Sequence, residues 1–295
     1  MPLADRLHQL VNAEVDARPV ALARIVTGVA VLLKLVGGAR HLSRLVEPTT
    51  LKLPMLPWLP APTPGMVTLL LALWGVAGLC FLVGWRTRAA GALLTLVLAV
   101  QLVLDQQTYS NHLYLLALVV GLLTVADAGA MWSMDARGRP RAKIPAWPVF
   151  LLQAQASLVY AFAALSKLTP DYLSGLALAP FVPFQAGVAL IGFPATAAIV
   201  LLLSWATIPL EAMLAIYLWS PRHRLAAALL GVLLHIGMVA LIYRMRLDLT
   251  VFALVMWGLY LLFLGPVILP RLERWSAHPA TSKPGLGDAT HRAIM

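Results

Sequence analysis

The stretch MVTLLLALWGVAGLCFLVGWRTRAAGALLTLVLAVQLVL, residues 66–104, decides the fold. Its only charged side chains are Arg86 and Arg88, which stand between two apolar runs at 66–84 and 89–105. About 20 apolar residues are enough for a helix to cross the hydrocarbon core of a membrane. We therefore predict two membrane-spanning helices here, joined by a short basic turn.

The rest of the chain has the same character. Of its 295 residues, 61% are hydrophobic and only 12% are charged, whereas about a quarter of the residues of a soluble domain carry charge. This composition excludes an ordinary soluble enzyme and a disordered chain. The single cysteine, Cys80, excludes an internal disulfide and a multi-cysteine metal cluster.

The apolar runs predict an all-α fold, a polytopic transmembrane helical bundle of about eight spans. The predicted spans are 20–37, 66–84, 89–105, 112–127, 147–166, 196–219, 225–242 and 249–268. The runs 89–105 and 112–127 are short and could form one broken helix. The polar segment 106–111 favours two spans, because a single helix would bury all of it.

Further segments complete the predicted organisation. Residues 1–19 place Leu and Val one helical turn apart, which indicates an interfacial helix, although a solvated lead-in fits equally well. Residues 48–64 and 173–195 are apolar but interrupted by Pro or Gly, so we predict lids on the outer face. The transmembrane domain is 20–269, and 270–295 is predicted to be a disordered cytoplasmic tail.

Lysine and arginine set the predicted orientation, because cytoplasmic loops carry an excess of both. With eight spans, 15 of the 22 cations fall on the side of both termini and six on the other side, while Lys34 lies inside the first span. Both termini are therefore predicted to be cytoplasmic. The net charge of +10 then reflects topology rather than a nucleic-acid partner.

Polar side chains at membrane depth are costly, so each one needs a structural or functional reason. The candidates within spans or at their outer ends are Asp105, Asn111, His112, Lys167, Asp171, Glu211, His235, Arg244, Arg246 and Asp248. If the spans pack together, several of these groups gather under the two lids.

Each candidate also has a purely structural interpretation. Lys167 could extend to the outer headgroups, and His235 could be a core histidine with satisfied hydrogen bonds. Glu211 could pair with Arg222, Arg224 or a neighbouring helix. The remaining candidates could be ordinary helix-end or loop residues, with His112 in a first turn, Asn111 as a helix N-cap and Arg244 in a loop.

The functional interpretation centres on Lys167. Desolvation at the edge of an apolar cavity favours the neutral amine of a lysine, which can then act as a base, and a cation such as Arg244 would favour it further. His112 or His235 could stabilise a developing anion or relay a proton. A cavity lined by Leu, Phe and Trp suits a lipophilic co-substrate such as a quinone. No metal-binding motif occurs, so we predict a site without a metal.

Four sequence blocks resemble one family of membrane proteins. Residues 110–116, SNHLYLL, resemble the Asn-His-x-Tyr-Leu segment of the vitamin K-dependent γ-glutamyl carboxylases and of the wider bacterial HTTM (horizontally transferred transmembrane) family. Residues 159–173, VYAFAALSKLTPDYL, resemble the family block Tyr-Phe-x-Ala-Gly-x-x-Lys-Leu-x-x-Asp-Trp-Leu. The runs 211–224 and 234–238 resemble its Glu-to-Arg-x-Arg and Phe-His blocks. The four blocks occur in family order over about residues 20–268.

The resemblance implies an activity. Characterised members of the family oxygenate reduced vitamin K to the epoxide, and the strong base so formed removes a γ-proton of glutamate, to which CO2 adds. The initiating base corresponds to Lys167, and the family histidines correspond to His112 and His235. The implied pocket residues are Asn111, Tyr114, Tyr160, Asp171, Glu211 and Arg244.

The implied protein is an integral enzyme of a bacterial inner membrane with its site on the outer side. Its partners are the bilayer, a quinone-like lipid and a peptide or small substrate. Its co-substrates are a quinol such as reduced vitamin K or menaquinone, O2 and, where carboxylation occurs, CO2. The alternative is a non-enzymatic HTTM protein in the maturation of, or immunity to, a secreted peptide. A small transporter is a third hypothesis, which the lack of internal repeats disfavours.

The sequence also departs from the family pattern. Tyr172 stands where Trp is usual, Ala164 where Gly is common, and Ser166 where animal carboxylases have a second Lys. The residues after 269 are too few for the large lumenal domain that captures the protein substrate of animal carboxylases. We therefore expect an enzyme that oxygenates a quinol-like lipid and couples this to proton abstraction from, or carboxylation of, a peptide or small substrate, rather than of a protein docked through such a domain.

Overall fold

The computed structural model describes residues 12–242 and 245–276, the last six by their backbone alone. Its elements, in chain order, are β1 (Glu14–Asp16), α1 (Arg18–Leu45), α2 (Pro64–Val83), α3 (Thr87–Leu104), a 3-10 turn (Gln106–Thr108), α4 (Asn111–Val125), β2 (Lys143–Pro145), α5 (Ala146–Ser166), α6 (Pro170–Leu173), α7 (Phe184–Ile191), α8 (Phe193–Tyr217), α9 (Arg224–Leu241) and α10 (Arg246–Ser276).

Seven of these helices are long and apolar enough to cross a membrane, and α4 is a shorter apolar helix of 15 residues. The prediction of a polytopic transmembrane helical bundle is therefore confirmed. The 3-10 turn separates α3 from α4, so the alternative of one broken helix over 89–127 is wrong. Which side of the membrane each end faces stays a prediction.

Local sequence signals determine where the helices begin and end. In α2, Pro64 occupies the first turn, and the Thr63 hydroxyl accepts a hydrogen bond from the amide of Met66 at 3.3 Å. Gly84 ends this helix with a left-handed φ of 73°, which glycine adopts without a Cβ clash. Ser110, rather than the predicted Asn111, caps α4 by accepting from the amide of Leu113 at 3.1 Å.

Helix α1 forms the centre of the bundle and packs along α10 on one side and α2 on the other. Close approach depends on glycine: a Cβ at Gly28 would lie 2.9 Å from the backbone of Leu82, and one at Gly265 would lie 2.7 Å from Pro19. Helix α3 pairs with α4, and α5 pairs with α8. Small residues at such contacts are typical of helix packing in membranes, where van der Waals contact drives association.

The structure differs from the predicted segments at both ends of the bundle. Residues 14–16 form a strand that pairs antiparallel with 143–145, so this part of the predicted interfacial helix 1–19 is not helical. Strand pairing satisfies backbone groups of both segments. Helix α10 continues to Ser276, beyond the predicted start of the tail at 270. Residues 1–11 and 277–295, which hold the remainder of those two predictions, lie outside the described residues.

The two predicted lids lie at one end of the bundle. In the segment 48–63 the structure has no helix, and Leu53 is fixed to the end of α3. Its amide donates to Asp105 at 2.7 Å and its carbonyl accepts from Gln106 at 2.8 Å. Segment 173–195 consists of turns and the eight-residue helix α7, which is too short to cross a membrane.

The connection between α4 and β2, residues 126–142, lies at the opposite end and is fixed by Asp135. This carboxylate accepts from the amides of Arg86 and Thr87, at 2.8 and 2.7 Å, and from the Thr87 hydroxyl at 2.7 Å. Partial burial opposes the charge, but the bonds from Thr87 and Arg86 outweigh it and hold the pKa of Asp135 below its ordinary value.

Replacing Asp135 with Asn is expected to lower stability at pH 7 by about 1 kcal/mol, the usual worth of a helix cap. A lowered pKa in the folded state stabilises the protein above the unfolded pKa of about 4, and this contribution is lost as the pH falls through the folded value. Apparent melting temperatures of the wild type and D135N should therefore differ at pH 7, and the difference should shrink as the pH is lowered toward 3. The control Glu47→Gln changes an exposed glutamate and should melt at the wild-type temperature at both pH values. A difference between wild type and D135N that is the same at pH 7 and pH 3 would contradict the stabilising role of the Asp135 carboxylate.

Candidate functional site

A cavity of about 490 Å³ lies at the end of the bundle where α5 and α9 end and α4 and α10 begin. Most of its lining is apolar, and the polar exceptions are His112, Lys167, Tyr172, Thr207 and Glu211. Phe181, Leu241 and Met245 also line the cavity and are 37–40% exposed, so it opens to the surroundings. Ala177, Leu178 and Phe181 come from the predicted lid 173–195.

The centre of this cavity is an ion pair between α5 and α8. The Lys167 Nζ atom lies 2.5 Å from both carboxylate oxygens of Glu211. Glu211 is 4% exposed, and Lys167 is the C-cap residue of α5, three residues before Pro170. Of the structural interpretations of Glu211, pairing with a neighbouring helix is the one observed; Arg224 instead donates to the carbonyl of Phe263 at 3.1 Å.

Tyr172 closes one wall of the cavity. Its ring lies 5.6 Å from Lys167 Nζ, and its hydroxyl is hydrogen-bonded to the Thr207 hydroxyl at 2.9 Å. Burial raises the pKa of the Tyr172 phenol, and the nearby Glu211 carboxylate adds to the effect while the bond to Thr207 opposes it. Tyr172 therefore stays a neutral phenol at physiological pH. Trp205 fixes the same segment to α8 by donating to the Leu173 carbonyl at 2.9 Å.

The two predicted histidines both contact the ring of Phe252. His112 and His235 each meet Phe252 edge to face, with centroids 5.2 Å apart in both cases. His112 lines the cavity, whereas His235 is 1% exposed in the core behind it. The ring nitrogens of His235 make no hydrogen bond of normal geometry within the described residues, although the ring faces the backbone of Gly231. Tyr160 lies in the same core, where its hydroxyl bonds to that of Tyr260.

A second ion pair lies beside His112 and was not part of the predicted site. Lys34, in the middle of α1, has its Nζ atom 2.5 Å from a carboxylate oxygen of Asp248 in the first turn of α10. Asp248 precedes Phe252 by one helical turn, which turns both side chains toward the start of α4. A lysine within an apolar run was the sequence signal for this pair, but its partner is 214 residues away.

Comparison with known proteins agrees with this architecture. The model of the HTTM domain matches residues 12–266, nearly the whole chain.

The chain belongs to the HTTM family.

No solved structure matches the chain. The HTTM domain match covers all the elements from β1 to the middle of α10, and so it includes the cavity and both ion pairs.

The remaining predicted site residues of this HTTM protein lie away from the cavity lining. Asn111 and Asp171 are exposed, and Tyr114 is 49% exposed. Helical spacing explains the exposure of Asn111 and Tyr114, which lie three residues apart on one face of α4. His112 and Leu113, between them, point inward. Arg244 lies outside the described residues. The structure thus brings together Lys167, Glu211 and His112, and it adds Tyr172 and Thr207, which sequence reasoning did not assign.

Proposed function

We propose that this HTTM protein is a membrane enzyme that oxidises a quinol-like lipid, and that the Lys167–Glu211 pair accepts the proton that the quinol releases. The observation that carries the proposal is the placement of an acid–base pair, with Glu211 buried and Lys167 partly buried, in an apolar cavity of about 490 Å³. Binding sites for small molecules are mostly apolar, with few polar groups that fix the orientation, and measure about 300–1,000 Å³.

The residues present fit a quinol headgroup. Leu, Met and Phe side chains supply the apolar walls, and the exposed rim at Phe181, Leu241 and Met245 gives a lipid access from the surroundings. When bound, the quinol supplies the reducing equivalents for O2: one quinol and one O2 give one epoxide and one water. The protein supplies the binding surface, the orientation and the proton acceptor.

The chemical role of the pair follows from its geometry. With both oxygens of Glu211 at 2.5 Å from Lys167 Nζ, one proton can be shared between the amine and the carboxylate in a medium of low dielectric constant. Glu211 can take a proton from the Lys167 ammonium, and the amine so formed can accept the proton of a quinol hydroxyl. The pair then carries one net positive charge, which balances the quinolate anion. His112 and the neutral Tyr172 phenol line the same cavity, and each can donate a hydrogen bond to an anionic oxygen there.

The direct test is the reaction itself. Full-length protein, purified in detergent and reconstituted in liposomes, is incubated with reduced menaquinone or reduced vitamin K under air, and the epoxide is quantified by liquid chromatography and mass spectrometry. The expected result is epoxide formation that requires protein, quinol and O2. Lys167→Ala should reduce the initial rate at least about 100-fold, the usual scale of general base catalysis.

Lys52→Ala is the matched control, because Lys52 is an exposed lysine in the segment between α1 and α2. It should retain the wild-type rate. Epoxide formation that survives Lys167→Ala unchanged would exclude Lys167 as the base. If neither quinol yields an epoxide, the proposal fails and the non-enzymatic role in peptide maturation or immunity is favoured.

A further inference from the structure

At the opposite end of the bundle from the Lys167 cavity, four arginines surround a polar cleft of about 660 Å³. They are Arg86 and Arg88, at the turn between α2 and α3, and Arg139 and Arg141, in the connection that precedes β2. Two carboxylates, Asp127 and Asp135, also line the cleft. The four arginines and two aspartates leave a formal charge of +2, and we refer to this feature as the arginine cleft.

Both carboxylates of the arginine cleft are already occupied by structural contacts. Asp127 bridges two of the arginines, with Arg88 Nη2 at 2.8 Å and Arg141 Nη2 at 2.6 Å. Asp135 accepts from the amides of Arg86 and Thr87 and from the Thr87 hydroxyl. In the described part of the chain, the guanidinium groups of Arg86 and Arg139 therefore have no carboxylate partner, and Arg86 lies over the ring of Trp85 at 5.6 Å.

The cleft is held in a conformation that the local sequence does not favour. Across residues 12–242 and 245–276, the three non-glycine residues with a left-handed backbone are Arg86, Asp127 and Trp132, with φ of 46°, 57° and 47°. All three lie in the two connections that form the cleft. Such conformations persist only where surrounding contacts impose them, and they concentrate at functional sites.

Buried Arg24 supplies one of those contacts. Its guanidinium donates to the carbonyls of Phe81, Leu82 and Trp132 at 2.8, 2.7 and 2.6 Å, so it joins the end of α2 to the α4–β2 connection. A Cβ at Gly129 would lie 2.6 Å from the Thr87 hydroxyl, which shows how closely the connection packs on the start of α3. The backbone of both connections is therefore fixed by packing, and the four arginine side chains project from it into an exposed cleft.

Membrane topology alone does not require this arrangement. The positive-inside rule concerns how many Lys and Arg residues a loop carries, not how they are folded. A flexible basic loop would satisfy that rule without strained backbone and without a cleft.

We propose that the arginine cleft binds a phosphate-bearing anion, with the headgroup of an anionic phospholipid as its source. Guanidinium groups pair with phosphate oxygens through two parallel hydrogen bonds. The cleft lies where the apolar helices end, and Trp85 and Trp132 beside it are each 49% exposed, as is typical of side chains at the membrane interface. Basic pockets at this level are suited to anionic lipid headgroups.

The test uses full-length protein in a neutral detergent. Dioctanoyl-phosphatidylglycerol and dioctanoyl-phosphatidylcholine are titrated separately, and binding is measured by native mass spectrometry. We expect phosphatidylglycerol to bind at least tenfold more tightly than phosphatidylcholine. The double variant Arg86→Gln/Arg139→Gln should weaken phosphatidylglycerol binding at least tenfold, because it removes the two unpaired cations and leaves the Asp127 bridges intact.

The matched control is Arg222→Gln/Lys143→Gln, which removes two exposed cations from the same end of the bundle. It should change the affinity less than twofold. Equal weakening in both double variants, or no preference for phosphatidylglycerol in the wild type, overturns the proposal. If R86Q/R139Q does not fold, as judged by size-exclusion chromatography and circular dichroism, Arg139→Gln alone is compared with Arg222→Gln by the same criteria.

A competition experiment separates the two sources of phosphate. Inorganic phosphate is added to the protein that already holds phosphatidylglycerol. If millimolar phosphate does not displace the lipid, the lipid headgroup is supported as the ligand. If phosphate displaces the lipid, and this depends on Arg86 and Arg139, the cleft binds phosphate but the ligand is a soluble anion, which overturns the lipid source. Because the cleft and the Lys167 cavity lie at opposite ends, R86Q/R139Q leaves the proposed quinol reaction as an independent question.

Discussion

Replacing Arg24 with Ala is expected to lower the stability of the folded protein by about 3 kcal/mol or more. Arg24 is fully buried in α1 and donates three hydrogen bonds to backbone carbonyls of two other segments. Each buried acceptor that loses its donor costs about 1–3 kcal/mol. Alanine also leaves a void where Trp132 and the end of α2 now meet.

The measurement is the apparent melting temperature of the purified protein in detergent. A loss of 1 kcal/mol corresponds to a shift of about 2–4 °C for chains of this size, so Arg24→Ala should melt about 10 °C lower. Arg24→Lys should lie between the two, since one ammonium reaches fewer carbonyls than a planar guanidinium. The control Arg40→Ala removes an exposed arginine from the same helix and should melt with the wild type. If the melting temperature of Arg24→Ala equals that of the wild type, the three hydrogen bonds do not hold the α4–β2 connection in place.

Glu211→Gln is expected to reduce the proposed quinol oxidation by at least about 100-fold, as much as Lys167→Ala does. The amide keeps the size of the carboxylate, so the cavity keeps its shape, but it cannot take up the proton that Lys167 shares with it. Removal of either member leaves the other as an unpaired group at a site where Glu211 is 4% exposed, which is costly.

The decisive measurement is the double variant Lys167→Ala/Glu211→Gln. Residues that act as one catalytic unit are not additive, so its rate should equal that of the slower single variant. Independent roles would instead multiply the two losses, and that outcome would refute the shared proton. Glu47→Gln, at an exposed glutamate, is the matched control and should retain full activity.

The span boundaries show which parts of the fold are local. The segments 66–84 and 89–105 were predicted from hydropathy alone, and the helices are Pro64–Val83 and Thr87–Leu104. Thr63 and Pro64 begin α2 and Gly84 ends it, and each acts on backbone groups within one helical turn. Such boundaries can therefore be recognised in the sequence directly. Strand Glu14–Asp16 was not predicted, because its partner is about 130 residues away and three residues carry no periodic signal.

In the candidate site too, some features could be recognised from the local sequence and others depend on packing. Lys167, Glu211 and His112 could be singled out because a polar group in an apolar run is conspicuous by itself. Their pairing could not be predicted: Glu211 had Arg222, Arg224 and any neighbouring helix as possible partners, and only the packing of α5 against α8 selects Lys167. The arginine cleft is the extreme case, since Arg86 and Arg88 indicated topology and nothing in their spacing indicated a cleft.

The sequence by itself therefore determined the class of protein, the spans and the identity of the costly polar residues, because hydropathy and helix capping act over a few neighbouring positions. Only the tertiary structure decided which of those residues meet. An ion pair or a hydrogen bond depends on distances of 2.5–3 Å between groups that are far apart in the chain. The side chains of Lys167 and Glu211 are 44 residues apart, and Arg24 is 57 or more residues from the backbone carbonyls that it binds. The way the helices pack fixes those distances, and the local sequence does not encode it.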